Sequence, residues 1–243
     1  MNLIIDIGNT RTKVGVFDKE KLVRKLTWDQ WDLTTLQTFS KKRKYERVAI
    51  STVKPVNKKI DTFLKKNYFY LNLNAETSLP IKNRYKTPKT LGKDRLAAVV
   101  GAFSLYSTEN TLVIDAGTCI KYDIITVKGE YFGGNISPGI NLRFRAMNTF
   151  TAQLPLLERK AVRNLVGNTT ETAMRTGAQL GAILEMEGFI KRYEERFGRI
   201  NVILTGGDAN YFAKHLKTQI FVNQHLILIG LNKILNYNVQ LLE

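Results

Sequence analysis

Two stretches of the chain repeat one pattern of apolar and polar positions. Leu3-Ile4-Ile5-Asp6-Ile7-Gly8-Asn9-Thr10 leads into Arg11-Thr12-Lys13-Val14-Gly15-Val16-Phe17, and Leu112-Val113-Ile114-Asp115-Ala116-Gly117-Thr118 leads into Cys119-Ile120-Lys121-Tyr122-Asp123-Ile124-Ile125. Each is a short apolar run ending in Asp, then Gly and Thr, then a run rich in β-branched residues, which predicts strand, tight turn and strand. Asp6 and Asp115 stand 109 residues apart in a chain of 243. That spacing predicts two similar domains, 1–107 and 108–243, divided near Tyr106–Asn110, where Ser-Thr-Glu-Asn breaks the periodicity.

Other segments fit this division. Arg47–Ser51 and Tyr68–Leu73 read as strands around a helix from about Pro55 to Lys65, and Gly92–Leu105 as a largely buried helix. Glu171–Arg196 reads as one long helix without proline, Val202–Leu204 as a short buried strand, and a helix begins at Asp208, there as its N-cap. Strands alternating with helices predict an α/β fold.

Composition removes whole classes of function. Hydrophobic residues make up 44% and charged residues 24%, as in ordinary globular proteins. The longest apolar run, Leu96–Phe103, is far short of the about 20 residues of a membrane span. The first residues carry no basic segment before Asp6, so no secretory signal is expected there. One cysteine, Cys119, forbids an internal disulfide, and His215 and His225 are too few for His-rich metal sites; a reducing cytoplasm is the expected setting. The net charge is +16, and 22 of the 37 basic residues against 9 of the 21 acidic ones lie in residues 1–95. Such runs are usually a solvated face. A nucleic-acid module would interleave aromatics or line up one basic recognition helix; neither pattern is present, so nucleic-acid binding is expected to be non-specific if it occurs.

The candidate chemistry lies in the repeated turns. Gly8 and Gly117 lack the Cβ that would keep a phosphate from the backbone, turn N–H groups can face its oxygens, and the Thr10 and Thr118 hydroxyls add donors. Asp6, ending the preceding strand, can hold Mg²⁺ directly or through water. Lys13 stands three residues past Thr10 and reaches towards the same anion. One such segment is an ordinary turn; two, half a chain apart and followed by Gly206-Gly207, point to a nucleotide clamp.

In full order, Asp6-Ile-Gly-Asn-Thr10, Tyr85-Lys-Thr-Pro88, Gly92-Lys-Asp94-Arg95, Asp115-Ala-Gly-Thr118, Gly133-Gly134-Asn-Ile-Ser-Pro138-Gly139 and Gly167-Asn-Thr-Thr170 resemble type III pantothenate kinases. The resemblance spans Asp6 to the Thr205–Asp208 turn. It implies an α/β protein of two similar actin-like (ribonuclease H-like) domains, with the active site in the cleft between them. It further implies phosphorylation of pantothenate by ATP on the way to coenzyme A. Carried over residue by residue, Asp6, Ile7, Gly8, Asn9, Thr10, Arg11, Thr12, Lys13 and Thr118 match ATP-binding positions. Asp115 matches the position of a monovalent cation, K⁺ or NH₄⁺. Tyr85, Gly92, Lys93, Arg95 and Thr170 match pantothenate contacts, and Asp94 the proton acceptor. A homodimer is implied as well. From its own surroundings Asp94 also reads as a helix cap, and Arg95 pairs with either the substrate carboxylate or a local acid.

Other kinase routes fail on the sequence. Gly92-Lys93 is followed by Asp94 rather than Ser or Thr, so there is no P-loop, and no Gly-x-Gly-x-x-Gly occurs. A purely regulatory protein on this fold need not keep Asp6, Asp94 and Asp115 together; all three are present.

Overall fold

The computed structural model describes residues 1–8, 12–29, 31–41, 43–52, 54–162 and 164–243. Contacts divide these into two compact units. The first comprises Met1–Ser107, Ile125–Phe132 and His225–Glu243, and the second Thr108–Ile124 and Gly133–Gln224.

The first unit is built on β1 (Asn2–Ile7), β2 (Thr12–Asp18), β3 (Lys21–Trp28), β4 (Arg47–Thr52) and β5 (Phe69–Asn72), in the order β3-β2-β1-β4-β5. β2 runs antiparallel to β1 and β3, whereas β4 lies parallel to β1 and β5. β1 is buried on both faces, which explains its nearly unbroken apolar run. Leu3, Ile5, Val14, Val16, Val48 and Ile50 pack against Leu36 and Phe39 of α1 (Leu33–Ser40) and Ile60 and Leu64 of α2 (Lys58–Asn67). Each of these helices opens on a side-chain cap: Asp32 accepts from the Thr35 amide at 2.7 Å, and Asn57 from the Lys59 amide at 2.9 Å.

α3 (Lys93–Leu105) and α8 (Leu226–Gln240) cover the other face. The expected second domain runs to residue 243, whereas α8 packs in the first unit. Two glycines allow this. A Cβ on Gly230 would meet the Ala97 carbonyl carbon at 2.7 Å and the Gly101 nitrogen at 2.8 Å, and a Cβ on Gly101 would run into the Leu226 carbonyl. The two backbones therefore touch, and the helices sit closer than any side chain would permit.

His225 immediately precedes α8, with its Nε2 3.4 Å from Lys25 Nζ. Burial, then the charges of Lys25 and Lys13, push its pKa below the ordinary 6.5. The folded state thus holds fewer protons than the unfolded one in that range. Stability should be fully present above about pH 6.5 and fall as pH drops below it. Thermal midpoints between pH 7.5 and 5.5 should decline more for the parent chain than for His225→Gln; identical declines would refute the assignment.

The second unit repeats the strand order. β7 (Asn110–Ala116), β8 (Cys119–Ile125), β9 (Glu130–Pro138), β10 (Ile200–Thr205) and β11 (Phe221–Val222) run β11-β10-β7-β8-β9, with β10 parallel to β7 and β11. Read from the hairpin side, this is the order of the first sheet. Its core joins Leu112, Ile114, Tyr122 and Leu204 to Ile140 and Phe144 of α4 (Ile140–Thr149) and to Ala182, Met186 and Ile190 of α6 (Gly181–Phe197). The single helix expected over Glu171–Arg196 is instead α5 (Thr170–Arg175), a π-helical turn (Thr176–Leu180) and α6. The widened turn accompanies Gln179, whose buried amide exchanges hydrogen bonds with the Lys160 backbone at 2.7 and 3.2 Å. α7 (Ala209–Ala213) follows β10.

The tip of the β8–β9 hairpin belongs to the first unit, where Glu130 and Tyr131 pair in parallel with Lys82 and Asn83 of β6 (Lys82–Asn83). No helix among the described residues is long and apolar enough to cross a membrane.

Candidate active site

In the first unit, Asp6 ends the apolar part of β1, buried, beside Lys13 of β2 and Ser51 of β4 in register. Ile7 is half-buried against Thr12 and Thr52, and Gly8 is exposed just past the strand. These positions lie where β1 and β4 end, the side on which ligands bind in α/β sheets. A carboxylate there suits Mg²⁺, which takes one or two protein carboxylates and completes its shell with water and phosphate oxygens. No group of three or more His, Cys, Asp or Glu gathers among the described residues. Asn9, Thr10 and Arg11 lie outside the described residues.

The Gly92–Arg95 segment is set by the start of α3. Gly92 is the N-cap residue, with no side-chain cap, and Asp94 stands in the first turn. Its Oδ1 accepts from the Arg95 amide at 2.9 Å and would lie 2.6 Å from a Cβ at Gly92, so glycine leaves room for the carboxylate. Asp94 therefore serves one first-turn amide without being the cap residue, and the positive helix end complements its charge. Arg95 is 5% exposed, its guanidinium 5.5 Å from the centre of the Tyr85 ring, and Tyr85 in turn stacks on Tyr131 at 6.3 Å. Arg84 holds the same hairpin tip through Glu130 at 2.8 Å. Two of the expected substrate residues, Tyr85 and Arg95, are thus brought together.

Gly92 and Lys93 line a pocket of ≈ 410 Å³ with Thr52, Lys54, Leu91 and Asn72. Asn72 is a residue the sequence did not single out. Its Oδ1 is buried and, among the described residues, has no hydrogen-bond donor. An acceptor in that position is costly unless a ligand supplies the proton.

In the second unit, Asp115 pairs in register with Thr205 of β10. Gly206, at φ +93°, turns the chain so closely that a Cβ would meet Asp115 Oδ1 at 2.5 Å. Gly139 approaches from the other side: its amide donates to the Thr118 carbonyl at 3.0 Å, and a Cβ there would strike the Gly117 carbonyl. The turn is clamped by backbone, yet nothing lies within 4 Å of where a Gly117 Cβ would stand. An open, cradled glycine beside the exposed Thr118 suits a phosphate. Cys119 is half-buried behind it.

Asp115 does not stand alone. Its Oδ2 lies 2.7 Å from the Nζ of Lys121 on β8, and the two side chains are only 15% and 20% exposed. This pair was not legible in the sequence. A free monovalent ion at that oxygen would meet the ammonium, and two like charges 4 Å apart repel by about 4 kcal/mol at an effective dielectric of about 20. The arrangement therefore does not fit a free cation bound at Asp115 Oδ2.

Thr170 is exposed at the first position of α5, whose cap is Thr169 in a reciprocal bond with Thr172. Asp208 is the N-cap residue of α7, as expected, but its side chain makes no capping hydrogen bond and pairs instead with Arg159 at 2.7 Å. Glu185 gathers Tyr122, Ser137 and Arg143, and burial followed by the Glu185 charge raises the Tyr122 pKa well above the usual phenol value.

One strand order built twice, each copy carrying an Asp near the end of its first strand ahead of a glycine, defines an actin-like fold. The profile of the type III pantothenate kinase family matches residues 2–192. The chain belongs to that family, transferases that use ATP to phosphorylate pantothenate in coenzyme A biosynthesis. Type III pantothenate kinase of Phocaeicola vulgatus is 44% identical over 99% of this chain and 100% of its own length. That of Christiangramia forsetii is 42% identical over 98% and 99%. Among solved structures, a candidate Baf family transcriptional activator from Campylobacter jejuni aligns with a TM-score of 0.62 at 23% identity, covering 98% of this chain and 99% of that one. The ROK hexokinase of Thermus thermophilus aligns at 0.50 and 12%, with the same coverage. These two speak for the fold.

Proposed function

We propose that Asp94 accepts the proton of the primary hydroxyl of pantothenate as that oxygen attacks the γ-phosphorus of ATP. The new P–O bond forms as the bond to the β-phosphate oxygen breaks, ADP leaves, and the carboxylate holds the proton. The observation that carries this reading is the placement of Asp94 in the first turn of α3, next to the pocket lined by Gly92 and Lys93. Transfer of this kind depends on positioning and charge neutralisation, with a carboxylate orienting the nucleophile.

The other roles are those that membership of the family implies. Tyr85, Gly92, Lys93, Arg95 and Thr170 are the pantothenate-binding residues, with the Arg95 guanidinium lying over the Tyr85 ring. Asp6 to Lys13 and Thr118 are the ATP-binding positions that the family match implies. Asp6 would hold Mg²⁺, directly or through water, which supplies charge neutralisation of the phosphates when bound. Asp115 marks the place of the monovalent positive charge. The acting form is a homodimer in the cytoplasm.

The test is ADP release coupled to a second enzyme, with pantothenate, ATP and Mg²⁺, run in parallel in K⁺, Na⁺ and tetramethylammonium salts. Pantothenate-dependent ADP is expected. Its absence in every salt would overturn the proposal.

A further inference from the structure

We propose that the Lys121 ammonium is the monovalent cation of this enzyme, supplied by the chain itself at Asp115. The inference rests on the reading of Asp115 as the cation position. A lysine head group is an ammonium ion on a tether, so it can meet the electrostatic need that K⁺ or NH₄⁺ would meet. The Nζ stands at 2.7 Å from Asp115 Oδ2, at the depth of a site rather than on the surface.

The surroundings hold that position. Lys121 and Asp115 lie on adjacent strands joined by only Gly117 and Thr118, so the reach of the lysine stem is fixed by a tight hairpin. Gly206 closes on Asp115 Oδ1 and Gly139 on the turn, which leaves the carboxylate little freedom to swing away. Lysine is seldom this buried without such a partner. The positive charge is therefore present in every molecule, independent of salt composition. Its entropy of capture is spent during folding rather than at each binding event.

The consequence is that this chain does not need a dissolved monovalent cation. Replacing K⁺ by Na⁺ or tetramethylammonium should change the turnover of the parent enzyme by less than about twofold. Lys121→Met and Lys121→Thr should lose turnover strongly in tetramethylammonium and regain it with K⁺ or NH₄⁺. A second readout needs no turnover. The thermal midpoint of either variant should rise as K⁺ replaces tetramethylammonium, while that of the parent chain stays level.

Two results overturn the inference: a parent enzyme that is active only with K⁺ or NH₄⁺, or variants whose midpoint and turnover are both indifferent to K⁺. A chain without pantothenate-dependent ADP release in any salt, yet with a K⁺-dependent midpoint only in the Lys121 variants, would instead sink the kinase reading and support the tethered charge.

Discussion

Asp94→Asn should lower kcat by roughly 10²–10⁴, the usual worth of a positioned acid or base, while KM for pantothenate stays within several-fold. The amide keeps the shape of the carboxylate and can still accept from the Arg95 amide, the contact seen at 2.9 Å. It can also hydrogen-bond the substrate hydroxyl, but it cannot take the proton. Because Asn serves a helix start about as well as Asp, the thermal midpoint should hardly move. A variant of normal rate and normal stability would show that Asp94 only serves the first turn of α3. A low rate accompanied by a large loss of stability would leave the chemistry and the fold inseparable at Asp94, and Asp94→Glu would then decide. That variant keeps a base but displaces it, so it should keep more activity than Asn only if the proton matters.

Gly230→Ala should cost about 3 kcal/mol of stability, the upper end of what over-packing does in well-packed cores. The new methyl would meet the backbone of α3 at Ala97 and Gly101, and backbone cannot swing aside as a side-chain tip can. For a chain of this size the thermal midpoint should fall by roughly 6–12 °C. Gly188→Ala is the matched control. Gly188 sits in α6 with nothing within 4 Å of its would-be Cβ, so alanine there should stabilise by up to about 1 kcal/mol. Equal midpoints for the two variants would mean that α3 and α8 are not in backbone contact.

The sequence exposed those features that local pattern controls. The Asp-Gly hairpins at Asp6 and Asp115 stood out because two β-branched runs flank a turn, and strands β4 and β10 because they are apolar and short. Other elements carry no such signal. β3 alternates only weakly, since Lys and Arg occupy its outward positions among Leu22, Leu26 and Trp28. α8 opens on the apolar run Leu226–Leu231, which by itself reads equally well as a buried strand, and its place against the first sheet depends on partners more than a hundred residues earlier. The site divides in the same way. Asp6, Asp94 and Asp115 belong to compact motifs, whereas Lys121 matters through a distance across a hairpin, and Asn72 through an Oδ1 to which none of the described residues donates. Neither relation has a one-dimensional signature.

The return of α8 to the first sheet also fixes an order of events during synthesis. The five strands at the start of the chain leave the ribosome early, but one of the helices that shield them is made last, after the whole second unit. Until then Gly15 and its neighbours on that face lack the leucines that should cover them. The second unit is in effect an insertion into the first, and it can finish folding while the first is still waiting. A nascent chain of this enzyme therefore leaves the α8 side of its first sheet only partly covered, by α3, until α8 emerges.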